Sequence, residues 1–189
     1  MLSNRKITIA LLCCMGIISA CSSNQKKLSD EITAKETALY ADSTMVPDAA
    51  KAKEIIALYT RYATEYSDDT ISAAYLFKAG DISSKINETH QAIQLFGLMI
   101  QKYPDHSNAP YALFLQGFIY ENQLGDPMKA RPYYEAFLKK YPDHPIAGDV
   151  SFSLENLGKS PEDLIREFEA RLKTQEDSAA VDTGNVVNR

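Results

Sequence analysis

QAIQLFGLMIQKYPDH at residues 91–106 returns as KARPYYEAFLKKYPDH at residues 129–144. Tyr103 and Tyr141 are 38 residues apart, and so are Ala92 and Ala130. A third, eroded copy lies 37 residues upstream of the first, where Tyr66-Ser67-Asp68-Asp69 stands in for Tyr-Pro-Asp-His. A fixed period of this length marks an array of helical repeats, in which each helix pair buries its apolar face only by stacking on a neighbour.

Working outward, Pro47-Asp48 opens a helix with Asp48 as its N-cap. Its apolar residues Ile55, Leu58, Tyr59, Tyr62 and Tyr66 keep the i, i+3, i+4, i+7 spacing of a half-buried face. Asp68-Asp69-Thr70 is expected to stop that helix and cap the next, which carries Ala74, Leu76, Phe77, Gly80 and Ile82. Further helices are expected over His90–Tyr103, Ala109–Leu124, Lys129–Tyr141 and Ile146–Leu157. Ser160-Pro161-Glu162-Asp163 opens a last one, with an N-cap, a proline at N1 and two acids at the positive end of the helix dipole. Leu164, Ile165, Phe168 and Leu172 give that helix one apolar face. Upstream, Leu28 to Tyr40 shows a weak helical pattern resting on Ile32 and Leu39, and Ala41 to Val46 breaks it. No segment alternates with period 2, so the chain is expected to be all helical, with the repeat domain over 48–173 and a polar, loose tail over 174–189.

The start of the chain has a different character. Arg5 and Lys6 precede Ile7 to Ala20, an apolar run too short to span a bilayer. It ends in Ile18-Ser19-Ala20-Cys21, which resembles the lipobox of bacterial lipoproteins. The resemblance implies a signal peptide over 1–20, cleavage before Cys21, and lipidation of that cysteine. Residues 21–47 then read as lipid anchor and tether, with the polar Ser22–Lys27 as its flexible part. The serine after the cysteine is compatible, by the same resemblance, with an outer-membrane location, facing the periplasm. Cys13 and Cys14 would leave with the signal, so no disulfide, zinc cluster or cysteine nucleophile would be available. Removing Arg5 and Lys6 from the 20 basic residues leaves 18 against 25 acids, a formal charge of −7 that argues against nucleic acid or anionic lipid as partners.

The repeats themselves resemble the tetratricopeptide family. Leu76, Gly80, Ala92, Phe96, Met99 and Pro104 occupy that family's pattern positions, with Ser83 in place of a tyrosine. Leu113, Gly117, Tyr120, Ala130, Tyr134, Phe137 and Pro142 occupy them again. The resemblance implies a right-handed superhelix whose first helix in each pair lines a partner-binding groove. Carried over position by position, the groove should show Ala74, Phe77 and Asp81, then Tyr111, Phe114, Phe118, Glu121 and Asn122, then Asp149, Phe152 and Asn156. Phe77 and Phe152 read rather as filling the superhelix or contacting the flanking helices, whereas Phe114 with Phe118 reads as a docking strip. The basic clamp with which some family members hold a partner's carboxylates is missing, since Phe77, Asp81, Phe114 and Phe118 stand at its positions.

Catalysis finds little support. No Gly-x-Ser-x-Gly, His-Glu-x-x-His or phosphate-cradling loop occurs, and the three histidines are scattered. His106 and His144 sit at equivalent positions of successive repeats, about 20 Å apart at two helix spacings of 8–10 Å, too far to share a metal. The expectation is therefore a non-catalytic, cofactor-free scaffold that binds an envelope protein. Longer repeats with a Tyr-Pro-Asp turn resemble both the barrel-assembly lipoprotein of the outer membrane and the accessory protein of the Tol-Pal system. An activator of a peptidoglycan enzyme is the remaining alternative.

Overall fold

A computed structural model describes residues 23–41 and 47–186, with side chains through residue 175. Among the described residues there are eight helices and no strand: α1 (23–40), α2 (Ala49–Glu65), α3 (Ser72–Lys85), α4 (Thr89–Lys102), α5 (Ala109–Asn122), α6 (Pro127–Lys140), α7 (Ala147–Asn156) and α8 (Pro161–Val186). Helices α2 to α7 each pack on the next, α3–α4 and α5–α6 as antiparallel pairs, in a tetratricopeptide-like superhelix. No described helix is long and apolar enough to cross a membrane.

The helix pairs close on their glycines. A Cβ on Gly80 would lie 2.7 Å from Phe96 Cε1, and one on Gly117 would lie 2.7 Å from Tyr134 Cε1. Phe96 and Tyr134 are fully buried and have no room to retreat. Ala92 and Ala130, also fully buried, lie one helical turn earlier on α4 and α6. The two repeats thus share one contact: an aromatic ring laid over a bare stretch of helix backbone.

Both kinds of turn repeat as well. Between pairs, the fourth residue of each Tyr-x-Asp-x motif caps the turn. Asp69 Oδ1 accepts from the Ile71 N–H at 3.1 Å, His106 Nδ1 from Asn108 at 3.1 Å, and His144 Nδ1 from Ile146 at 3.4 Å. In the two full repeats the histidine ring thus takes the part that the Asp69 carboxylate plays in the eroded copy. Within pairs, the chain leaves the first helix through a positive φ, at Asn87 (62°), Gly125 (61°) and Gly158 (82°). Asp48 and Asp126 cap α2 and α6 by accepting from the Lys51 and Lys129 N–H groups.

The ends differ from the sequence reading. Ser22–Lys27 was expected to be a flexible tether, yet the chain is helical from residue 23. Helix α1 buries Leu28, Ile32 and Leu39 in the main core. Gln25 donates to the Tyr62 hydroxyl at 3.0 Å, while Glu36 accepts from Lys78 at 2.7 Å and from the Tyr59 hydroxyl. Burial works to raise the Glu36 pKa, but these two donors outweigh it and hold the carboxyl below its ordinary range. The pair α1–α2 therefore stacks ahead of the first full repeat, and the helical array begins well before residue 48. At the other end, α8 continues to Val186, past Lys173 where a loose tail was expected. The signal segment, Cys21 and most of the Ala41–Val46 break lie outside the described residues.

Gly117→Ala should lower stability by about 1–3 kcal/mol, because Tyr134 cannot yield to the added methyl. Gly148, with open space around it in the first turn of α7, should respond oppositely, Gly148→Ala adding about 0.4–1 kcal/mol by restricting the unfolded chain. Thermal unfolding of the two variants checks both signs.

Candidate functional site

Helices α3, α5 and α7 carry the groove positions, and their side chains fare differently. Phe77 is half-buried and leans on Phe96 with ring centroids 5.5 Å apart, so it belongs to the packing. Phe114 is also half-buried, stacked on Tyr134 at 5.9 Å and tilted against Phe118 at 5.9 Å. Phe118 stands outside that stack and is 41% exposed. Tyr111, 39% exposed, meets the His144 ring edge-on at 5.1 Å. Phe152 is 63% exposed, so it does not fill the superhelix. The structure thus presents Tyr111, Phe118 and Phe152 to solvent, with Phe114 as a rigid backing.

The polar candidates are mostly engaged. Glu121 accepts from the Tyr134 hydroxyl at 2.6 Å. Burial first, and this carboxylate second, push the Tyr134 hydroxyl far above the usual tyrosine range. Asp81 pairs with Lys85 at 2.7 Å, one turn along the same helix. Asn122 and Asn156 each donate to the carbonyl four residues back, of Phe118 at 3.2 Å and Phe152 at 2.8 Å. The Asn122 amide oxygen is left as an acceptor for a partner's backbone, whereas that of Asn156 accepts from Lys159 at 3.3 Å. Ala74 is half-buried and Asp149 is exposed, and both lie on the same helices. Cys21 lies outside the described residues. Among the described residues no group of three or more histidine, cysteine, aspartate or glutamate side chains could hold a metal ion.

The tetratricopeptide repeat family model matches residues 74–106 and 111–144. These two segments are tetratricopeptide repeats. They contain most of α3–α4 and α5–α6, the two pairs joined by the Gly80–Phe96 and Gly117–Tyr134 contacts. Compared with curated proteins, the chain has no match. A repeat of this class acts by holding protein partners, and the rigid aromatic backing on α5 suits that task.

One surface is absent from the list of groove positions. Ile165, Phe168 and Leu172 of α8 are 59%, 62% and 44% exposed, and with Phe152 they line a cleft of about 520 Å³ between α7 and α8. The sequence shows the stripe, but its spacing is that of any packed helix face. Only the structure leaves it uncovered.

Phe118→Ala should change stability by less than about 1 kcal/mol, as for an exposed ring. Tyr134→Phe, which removes a bond to a charged acceptor, should cost about 1.5–3 kcal/mol. Urea unfolding of both variants tests whether the strip is built as backing plus free surface.

Proposed function

We propose that this protein is a non-catalytic scaffold lipoprotein of the bacterial cell envelope. Acyl chains on Cys21 would hold it at the outer membrane, facing the periplasm, and the first helices of its repeats would dock a segment of another envelope protein. The observation that carries the reading is the solvent-facing pair Tyr111 and Phe118 on α5, braced by the buried stack of Phe114 on Tyr134. Aromatic side chains on a rigid support lose little conformational freedom on binding and supply most of the energy in typical interfaces.

The anchor adds proximity. Helix α1 begins at residue 23, so the chain between Cys21 and the folded body spans about 7 Å at most. Acyl chains bury about 0.8 kcal/mol per CH₂, and more than one chain is needed for stable attachment. An array so closely tethered would meet membrane-associated partners at a raised effective concentration. In its sharper form the reading assigns the protein to outer-membrane protein assembly; the competing form assigns it to envelope integrity and division, like the Tol-Pal accessory protein.

A photo-crosslinking residue at Phe118, with Gln94 on the exposed side of α4 as control, tests the groove in the native host. Adducts with barrel-assembly subunits or with Tol-Pal proteins at Phe118 alone are the expected result and separate the two forms. Adducts only at Gln94 would move binding to the other face. Cys21→Ser should release the protein from the membrane fraction, and unchanged partition would contradict the lipoprotein assignment.

A further inference from the structure

The cleft between α7 and α8 exists because the helix-pair contact fails there. Gly80 stands eight residues before the N-cap Glu88 and faces Phe96, eight residues after it; eight residues before Ser160 stands Phe152, and eight after it Phe168. Ala92 and Ala130 each lie four residues after the N-cap of α4 and α6; four residues after Ser160, before Pro161 opens α8, stands Leu164. Both small residues of the close contact are thus replaced by large ones. Helix α7 also has 10 residues where α3 and α5 have 14. The outcome is visible in burial: Val150 is the one buried residue of α7, and none of residues 161–175 of α8 is buried. Helix α8 is held at its start instead, by Lys159 bonded to Glu167 at 2.7 Å and to Asn156 at 3.3 Å, and by Ser160 exchanging hydrogen bonds with Asp163.

What remains is a cleft of about 520 Å³ with an apolar floor and an acidic rim. Phe152 faces Ile165, Phe168 and Leu172, which are spaced as i, i+3 and i+7 along one helix face. Glu155, Glu167 and Glu169 line it with Arg171; Glu167 is paired with Lys159, which leaves Glu155 and Glu169 to set the charge of the rim against the one guanidinium. We propose that this cleft docks an amphipathic helix of another protein, with an apolar stripe for the floor and lysine or arginine residues flanking it. The charge decides among occupants. A second copy of this chain, brought in by its own cleft, would set Glu155 and Glu169 against their own counterparts, whereas a basic-flanked helix meets them with opposite charge. An apolar stripe laid in such a groove is a common mode of helix recognition, and the volume lies within the range of clefts that hold ligands. The site shares Phe152 and Asn156 with the groove positions but requires neither the lipid anchor nor docking at Phe118.

The test uses the full chain and a fluorescein-labelled synthetic helical peptide, with leucines at i, i+3, i+4 and i+7 and lysines on both flanks, followed by fluorescence anisotropy. A twin peptide with glutamates in place of the lysines is the comparison. Saturable binding of the lysine peptide is expected, weakened at least about tenfold by Phe168→Ser and by the exchange of flanks, and unchanged by Phe118→Ser. A Glu155→Lys/Glu169→Lys variant should invert the preference between the two peptides, a readout that loss of folding would not produce. Absence of saturable binding, equal affinity for both peptides, or equal affinity of the Phe168→Ser protein would overturn the proposal. So would a dimer in sedimentation equilibrium that Phe168→Ser dissolves, since the cleft would then be covered by a second copy.

Discussion

An aromatic ring pressed onto a bare glycine holds each full repeat together, and the rest of the molecule follows from where that contact is made. Phe96 over Gly80 and Tyr134 over Gly117 bring the helices of a pair closer than any side chain at the glycine would permit. The same rings then support the groove from below: Phe77 leans on Phe96, and Phe114 stacks on Tyr134. Structural packing and the proposed docking surface are therefore coupled. Tyr134 links them once more through its hydroxyl, which engages the Glu121 carboxylate on the groove helix.

Where the contact is absent, other forces take over. In the first pair, α1 has no repeat motif and is bound to its neighbours by a mixed set of bonds. Tyr59 and Tyr75 stack at 4.9 Å, Tyr62 meets Tyr75 edge-on at 4.9 Å, and Glu36 and Gln25 tie α1 to this tyrosine cluster. In the last pair nothing comparable replaces it. Phe152 and Leu164 fill the place of two small residues, and α8 is left leaning from its first turn. One end of the array is thus closed by polar bonds to aromatics, and the other is left open.

This pattern explains which features could be read in advance. The helices of the two full repeats were legible because glycine, alanine, aromatic and proline residues recur at fixed spacing, each for a steric reason. Helix α1 was read only weakly, since Leu28, Ile32 and Leu39 are widely spaced and much of its attachment comes from Gln25 and Glu36, residues that look like solvent-facing ones. The capping by His106 and His144 was hidden behind the neighbouring aspartates, the more usual caps. In the groove, register alone pointed to one face each of α3, α5 and α7. It could not tell that Glu121 is already engaged or that Phe152 stands free, because both depend on the tilt of the following helix. The open face of α8 was hidden for the same reason: a stripe of apolar residues reads identically whether it is covered or bare.

The central claim is that a small-residue contact closes each helix pair and that its replacement opens the last one. Restoring it by the double substitution Phe152→Gly/Leu164→Ala, and following backbone hydrogen exchange across residues 161–175, tests this most directly. The account predicts slower exchange throughout that stretch, as α8 settles against α7 and buries Phe168. Exchange as fast as in the unaltered chain, or faster, would contradict it.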